Sequence, residues 1–228
     1  MDLLVDIGNT RIKWALSAGG ELTATQGQQS HHELIPSDLC SEMWGNLDRP
    51  GRVMVASVGA SVLCRDVSDW IVKNWGLSPQ FILPVEKGWD VTNGYVSPES
   101  LCVDRWLSLV AARKKWNNKA VFIADCGTAV TIDVLGPDGA HRGGLIVPGL
   151  SLMRESLIQR TAGIAMSVTD SPRDHALLAA DTRSAVMGGT LYTLVSVLDR
   201  TIHDVGVEMN QSIYPVITGG DAMELQAL

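Results

Sequence analysis

In "DLLVDIGNTRIKWAL", residues 2–16, apolar and β-branched positions recur on both sides of a Gly-Asn pair. That pattern predicts a β-hairpin with strands at 2–7 and 11–16. Residues 18–50 lose the apolar rhythm. "GQQSHHE" and scattered Gly and Pro predict loops around one short helix near 38–48, with His31 and His32 on a surface loop. "RVMVAS", 52–57, is apolar enough for a buried strand. Val62, Val67, Trp70, Ile71 and Trp75 fall at helical spacing within 61–75. "QFIL", 80–83, predicts a further strand, and "GWDVTNGYVSPES", 88–100, a loop. Ser97-Pro98-Glu99 then has the order of an N-cap, a proline at the first helical position and an acidic first turn. The helix it predicts runs to about Trp116, with Val103, Trp106, Leu107 and Val110 on one face.

The opening pattern returns in "AVFIADCGTAVTIDVL", 120–135. Strands are predicted at 120–125, 129–135 and 142–147, with a turn at Gly136–Gly139. Helices follow at about 149–160 and 182–205, and "YPVITGGDAMELQAL" closes as strand, Gly-Gly turn and the start of a helix. Aligning Asp6 with Asp125 sets Gly8 on Gly127 and Thr10 on Ala129, with Thr128 beside it. The repeat predicts two α/β lobes, 1–117 and 118–228, with a cleft between them. Ligands usually sit at such boundaries.

A Gly-rich turn between strands exposes successive backbone N–H groups, which bind anions, above all phosphate. Gly8 and Gly127 allow close approach, Thr10 and Thr128 add hydroxyls, and Lys13 can reach a phosphate as a flexible point charge. Asp6 and Asp125 would repel a phosphate unless a cation stands between. Paired aspartates with paired turns therefore point to a nucleotide–metal cleft. The plainer explanation of a single copy is an Asp that caps backbone N–H groups. Asp104 and Arg105 fall in the second predicted turn of an apolar helix, either as a solvent-facing pair or as groups aimed at a ligand. Cys126 reads as a small packed residue rather than a nucleophile.

Composition narrows the function classes. The 228 residues are 46% hydrophobic, enough for a sizeable core, and carry a formal net charge of −7. The pI is about 5.1. "RKKWNNK", 113–119, is the one basic cluster, and reads as a helix end and turn. Without a basic face, nucleic acid is not an expected partner. Cys40, Cys64, Cys102 and Cys126 lack CxxC spacing, and the N-terminus lacks the basic region of a secretory signal. Reduced thiols and a cytoplasmic location are expected. Pro148 and Gly149 interrupt the longest apolar stretch, 143–153, well short of the roughly 20 residues of a membrane span.

"DIGNTRIKW", "YVSPESLCVDRW", "DCGTAVTID", "GGLIVPG" and "TGGD" occur in the order found in one known family. Together, from residue 2 to about 222, they resemble the type III pantothenate kinases of the actin-like, sugar-kinase and Hsp70-like ATPase superfamily. The resemblance implies an α/β fold of two ribonuclease-H-like lobes, each a mixed β-sheet flanked by helices, with an interlobe nucleotide cleft. It implies a cytoplasmic homodimer that phosphorylates pantothenate with ATP, giving 4′-phosphopantothenate, the first step of coenzyme A synthesis. By position, Asp6, Ile7, Gly8, Asn9, Thr10, Arg11, Ile12 and Lys13 form the first phosphate loop, with Asp6 near Mg²⁺. Asp104 is then the catalytic base. Tyr95, Cys102, Val103, Asp104, Arg105 and Thr182 line the pantothenate site. Asp125 binds a monovalent cation, K⁺ or NH₄⁺, Thr128 contacts ATP, and Gly219 and Gly220 form the adenosine-side turn.

The chain departs from the family pattern in two places. Cys102 takes the glycine position of the family's Leu-Gly-x-Asp-Arg, and the sequence ends at Leu228, shortly after "TGGD". Both departures point toward an alternative, a catalytically impaired nucleotide-binding relative that acts through a protein partner. Intact Asp6, Asp104, Asp125 and Thr128 point toward an active kinase. A kinase for another small alcohol is the third possibility, opposed by the "YVSP…DR" segment.

Overall fold

β1 (Asp2–Ile7) runs antiparallel to β2 (Arg11–Ala18), with Asp6 opposite Lys13. β3 (Glu21–Ser30) returns antiparallel along β2. After α1 (Pro36–Trp44), β4 (Arg52–Ser57) inserts parallel to β1. α2 (Val62–Trp75) leads to β5 (Gln80–Phe81), which completes a five-stranded sheet of order β3-β2-β1-β4-β5. These elements, with Ser97–Leu107, form one compact unit, and Lys87–Val96 with Ser108–Leu228 form a second. This computed structural model describes residues 1–8, 10–30, 36–58, 62–164 and 178–226. Asn9, His31 and His32 therefore lie outside the described residues.

Alternation explains the first core. Leu3, Val5 and Ile7 point to one face of β1 and join Ile12, Leu16, Val53 and Val55. α1 contributes Leu39, Cys40 and Trp44 to that face, and α2 contributes Val67, Trp70 and Ile71. Trp44 meets Trp70 edge-on at 5.8 Å between ring centroids, and the Trp70 indole N–H donates to Ser41 Oγ at 2.9 Å. Removing a buried indole such as Trp44 typically costs about 3–5 kcal/mol.

Three local expectations change here. Residues 21–30 form a strand where loops were expected. β3 is an exposed edge strand with no apolar alternation. It is held by its ladder to β2 through a two-residue Gly19-Gly20 turn, both at positive φ. Trp14 covers the bare Gly27 so closely that a Cβ there would touch the indole at 2.9 Å. The predicted loop at 88–100 contains a small hairpin, β6 (Lys87–Gly88) with β7 (Val91–Thr92). The helix predicted from Ser97 is interrupted. Pro98–Ser100 is one 3₁₀ turn, Ser97 makes no side-chain cap, and α3 (Val103–Lys115) starts only after Cys102.

The second unit repeats the plan of the first sheet. β8 (Val121–Cys126), β9 (Ala129–Leu135) and β10 (His141–Pro148) are antiparallel neighbours. α4 (Leu150–Arg160) and α5 (Thr182–Met209) follow. β11 (Tyr214–Thr218) then pairs parallel with β8 and leads into α6 (Ala222–Gln226). The order β10-β9-β8-β11 matches β3-β2-β1-β4. Phe122, Ala124, Cys126, Val130, Ile132 and Val134 pack against Leu150, Leu194, Leu198 and Leu225. Asp181 caps α5 by accepting from the Ser184 N–H at 3.0 Å, and Asn210 ends it in the left-handed region at φ 49°. Among the described residues no helix is long and apolar enough to cross a membrane.

Candidate active site

The two strand-to-strand turns are built alike. The Gly8 N–H donates to the Arg11 carbonyl at 3.0 Å, and the Gly127 N–H to the Ala129 carbonyl at 3.2 Å. Ile7 pairs with Ile12 in the first hairpin, Cys126 with Val130 in the second, so the second turn is one residue shorter. Counted back from the accepting carbonyl, Thr128 rather than Ala129 takes the place of Thr10, which corrects the alignment by sequence alone. Asp6 is exposed and Asp125 half-buried, each two residues before its glycine. Thr10, Arg11, Lys13 and Thr128 are exposed, while Ile7 and Ile12 are core residues.

In the second unit two further motifs reach the Asp125–Thr128 turn. The Gly149 N–H donates to the Thr128 carbonyl at 2.9 Å, and a Cβ at 149 would overlap the Gly127 carbonyl oxygen. Gly219, at φ 98°, lies on the end of β8, where a Cβ would overlap the Cys126 backbone. The Asp221 N–H donates to the Cys126 carbonyl at 3.0 Å. Burial pushes the Asp221 carboxyl above its ordinary value, and Glu224 adds to this while Arg154 opposes it. Arg154, buried on α4, donates to Glu224 Oε1 at 2.8 Å and to Thr190 Oγ1 at 3.2 Å. Burial, with Asp125 and Asp221 nearby, pushes the Cys126 thiol up to about 11. It is a packed residue, since nucleophilic attack needs thiolate. Thr182 is exposed at the first position of α5, beside the Asp181 cap.

In the first unit the chain before α3 shapes a pocket of about 660 Å³ lined by Ser57, Val58, Cys64, Cys102 and Val103 among others. Val58 donates its N–H to the Ile7 carbonyl at 3.3 Å, so this wall is tied to the residue preceding Gly8. Cys102 is exposed, and its carbonyl accepts the Trp106 N–H at 3.1 Å. It is thus the N-cap of α3, not an interior helical residue. Asp104 is in the first turn of α3, and its Oδ1 accepts the Arg105 N–H at 2.7 Å. Arg105 is 3% exposed, which rules out the solvent-facing pair. Asp6 and Lys13 line a second cavity of about 720 Å³ with mostly apolar walls, including Leu4, Trp14 and Met54.

Tyr95 belongs to the second unit. Its N–H donates to Asn93 Oδ1 at 3.0 Å, and its ring lies parallel to the His141 ring, with centroids 5.8 Å apart. Sequence reasoning passed over Asn93, His141, Asp133, Arg154 and Asp221. "DGAHRGG" carried a signal: the Gly143-Gly144 pair, two residues after His141 and within a strand, marks a bulge that can redirect a nearby side chain. Among the described residues no three His, Cys, Asp or Glu side chains converge to hold a metal.

The type III pantothenate kinase family profile matches residues 2–204. The chain belongs to that family. A type III pantothenate kinase of Nitrosococcus oceani is 42% identical over 232 residues, covering 100% of this chain and 86% of the relative. One from Hydrogenovibrio crunogenus is 34% identical over 226 residues, covering 99% and 90%. Among solved structures, the activator of 2-hydroxyisocaproyl-CoA dehydratase from Clostridium difficile, with bound ADPNP, superposes at a TM-score of 0.53 with 16% identity. That alignment covers 98% of this chain and 81% of the activator. The fold is thus that of the actin-like ATPases and sugar kinases. Within the pantothenate kinase family frame, the motif turns at Gly127, Gly149 and Gly219 meet at one end of the second sheet.

Proposed function

We propose that this protein transfers the γ-phosphoryl group of ATP to the 4′-hydroxyl of pantothenate, releasing ADP, as the first step of coenzyme A synthesis. The observation that carries the acceptor half is the pocket bounded by Cys102 and Val103, one residue before Asp104, with its Val58 wall bonded to the backbone at Ile7. The nucleotide half draws support from the paired Gly8 and Gly127 turns and from ADPNP in the Clostridium difficile activator of the same fold.

Phosphoryl transfer passes through a loose transition state, so positioning and charge neutralisation do most of the catalysis. Residues 6–13 and Thr128 hold the phosphates in this proposal, chiefly through backbone N–H groups. Asp104 Oδ1 is engaged by the Arg105 N–H, while Oδ2 has no partner among the described residues. Oδ2 orients the acceptor hydroxyl and takes its proton as the new P–O bond forms and the bond to ADP breaks. Tyr95, the 102–105 segment and Thr182 contact pantothenate.

The carboxylates fit the cations the family implies. Mg²⁺ commonly binds one or two carboxylates together with substrate phosphates, so it needs no protein cage. Exposed Asp6, beside the Gly8 turn, would hold it, and half-buried Asp125 would hold K⁺ or NH₄⁺. Bound cations supply charge neutralisation between carboxylates and phosphates. A two-lobe division, a homodimer and a cytoplasmic site of action complete the proposal.

A coupled ADP-release assay with pantothenate, ATP, Mg²⁺ and K⁺ tests it. Pantothenate-dependent ADP release is the expected result. ADP binding without turnover would instead favour an impaired relative, for which Cys102 lining the pocket is the specific observation.

A further inference from the structure

β10 carries an irregularity that redirects one side chain. His141 pairs with Leu135 and Gly144 with Asp133, so three steps on β10 match two on β9. The extra residue is accommodated at Gly143, at φ 105°. A bulge of this kind turns a side chain away from the regular alternation. Here it leaves the His141 imidazole wholly enclosed, with Nε2 2.8 Å from Oδ1 of Asp133, itself 2% exposed. A carboxylate only accepts, so Nε2 carries the proton of that bond. Nδ1 is buried with no hydrogen-bond partner.

Segment 92–95 lies directly on this strand. The Thr92 N–H donates to the Gly139 carbonyl at 2.9 Å. Gly94 has no room for a Cβ, which would overlap the His141 carbonyl oxygen. Asn93, 7% exposed, accepts the Tyr95 N–H. Tyr95 then rests on the His141 ring with an interplanar angle of 14°, an offset stack within the usual range for aromatic pairs. One face of the tyrosine is thereby covered while the residue as a whole stays half-exposed.

A buried imidazole–carboxylate hydrogen bond is a poor source of net stability, because desolvating both polar groups offsets most of what the bond gains. The pair's strand neighbours in register are apolar: Ile123 lies opposite Asp133, and Leu135 lies opposite both Val121 and His141. What Asp133 does supply is a fixed orientation for the imidazole. We propose that His141, clamped by Asp133, is a positioning residue that sets the Tyr95 ring for binding the acceptor. The inference rests on the pantothenate reading of Tyr95 given above.

The test compares paired substitutions in the full-length protein, measuring Michaelis constants for both substrates. Replacing the hydrogen-bonded pair by two apolar residues without a ring, Asp133→Leu with His141→Leu, removes the platform. The Michaelis constant for pantothenate is expected to rise about tenfold, that for ATP to stay within twofold. Asp133→Leu with His141→Phe keeps a ring at 141 and is expected to recover most of the loss. In a Tyr95→Leu background, removing the ring at 141 should add less than twofold. A ringless variant with unchanged pantothenate affinity overturns the inference, as does an equal rise for both substrates or additivity with Tyr95→Leu. Should the ringless variant not fold, Asp133→Asn decides: a rise of about threefold for pantothenate alone supports positioning, and no rise overturns it. A wild-type protein inactive toward pantothenate overturns the proposed function and this inference together, whereas an active wild type with insensitive variants overturns this inference alone.

Discussion

The Gly149 N–H meets the Thr128 carbonyl at 2.9 Å, so the helix-leading Pro-Gly turn seats directly on the turn between β8 and β9. There is no space between them for a methyl group, since a Cβ at 149 would overlap the Gly127 carbonyl. Gly149→Ala must displace backbone, and overpacking of that kind typically costs about 1–3 kcal/mol. The expected result is a Michaelis constant for ATP raised about tenfold, with a lower thermal midpoint. Wild-type values for both would show that the turn yields freely.

Asp104 sits half-buried in the first turn of α3. Asp104→Asn keeps size and shape but cannot accept the hydroxyl proton. Turnover should fall about 10²-fold or more, the usual range for a positioned acid–base group. Nucleotide affinity should be retained. Rates within a few-fold of wild type would remove Asp104 from the base role.

Asp125 is proposed to bind a monovalent cation, so activity should depend on which one is present. At fixed ionic strength, K⁺ should support more turnover than Na⁺, and a bulky tetraalkylammonium ion should support least. Asp125→Asn should flatten those differences. Equal rates of wild type in all three salts would count against the assignment.

Cys102 caps α3 from outside the helix, so glycine there costs only a few tenths of a kcal/mol. Removing its side chain enlarges the 660 Å³ pocket proposed to take the acceptor. Cys102→Gly should lower the Michaelis constant for pantothenate and leave that for ATP and the thermal midpoint nearly unchanged. Thiol reagents should modify exposed Cys102 first. Cys40 and Cys126 are buried, and burial pushes their thiols up to about 12 and about 11. Pantothenate should slow the reaction at Cys102, and modification at an unaltered rate would place the thiol outside the acceptor site.

Asp221 holds its proton more tightly in the folded protein than in the unfolded chain, because burial and Glu224 disfavour its charge. Stability from this residue is therefore greatest below the ordinary Asp value of about 3.9 and falls as pH rises through the raised native value. Asp221→Asn removes the charge that burial penalises. Its thermal midpoint should exceed that of wild type at neutral pH, and the gap should close on acidification to about pH 3. A lower midpoint at neutral pH would mean that pairing with Arg154 outweighs burial.

Much of this was legible from residue order. Alternation at Leu3, Val5 and Ile7, and again at Phe122, Ala124 and Cys126, identified the central strands, because period-2 burial is a local property of a pleated strand. The Asp-x-Gly turns were legible because glycine and a short polar residue have few other reasons to interrupt such strands. β3 was not legible, because an exposed edge strand is held by backbone hydrogen bonds that any side chain permits. The break at Leu101-Cys102 was hidden as well. Pro98 and Glu99 satisfy the start of a 3₁₀ turn as readily as that of an α-helix.

The sequence by itself determined which residue patterns the chain carries: paired carboxylates, paired Gly-rich turns and the Asp104 segment, all defined by short spacings along the backbone. Tertiary structure decided what surrounds them. Only the register of β8 with β9 shows that Thr128, not Ala129, matches Thr10. Only the packing of Gly149 and Gly219 explains why neither position has room for a side chain. Only the bulge in β10 brings His141 onto Asp133 and beneath Tyr95, 46 residues earlier in the chain. Contacts between residues distant in sequence depend on strand register and on the space other elements leave, and neither is encoded in the spacing of any one segment.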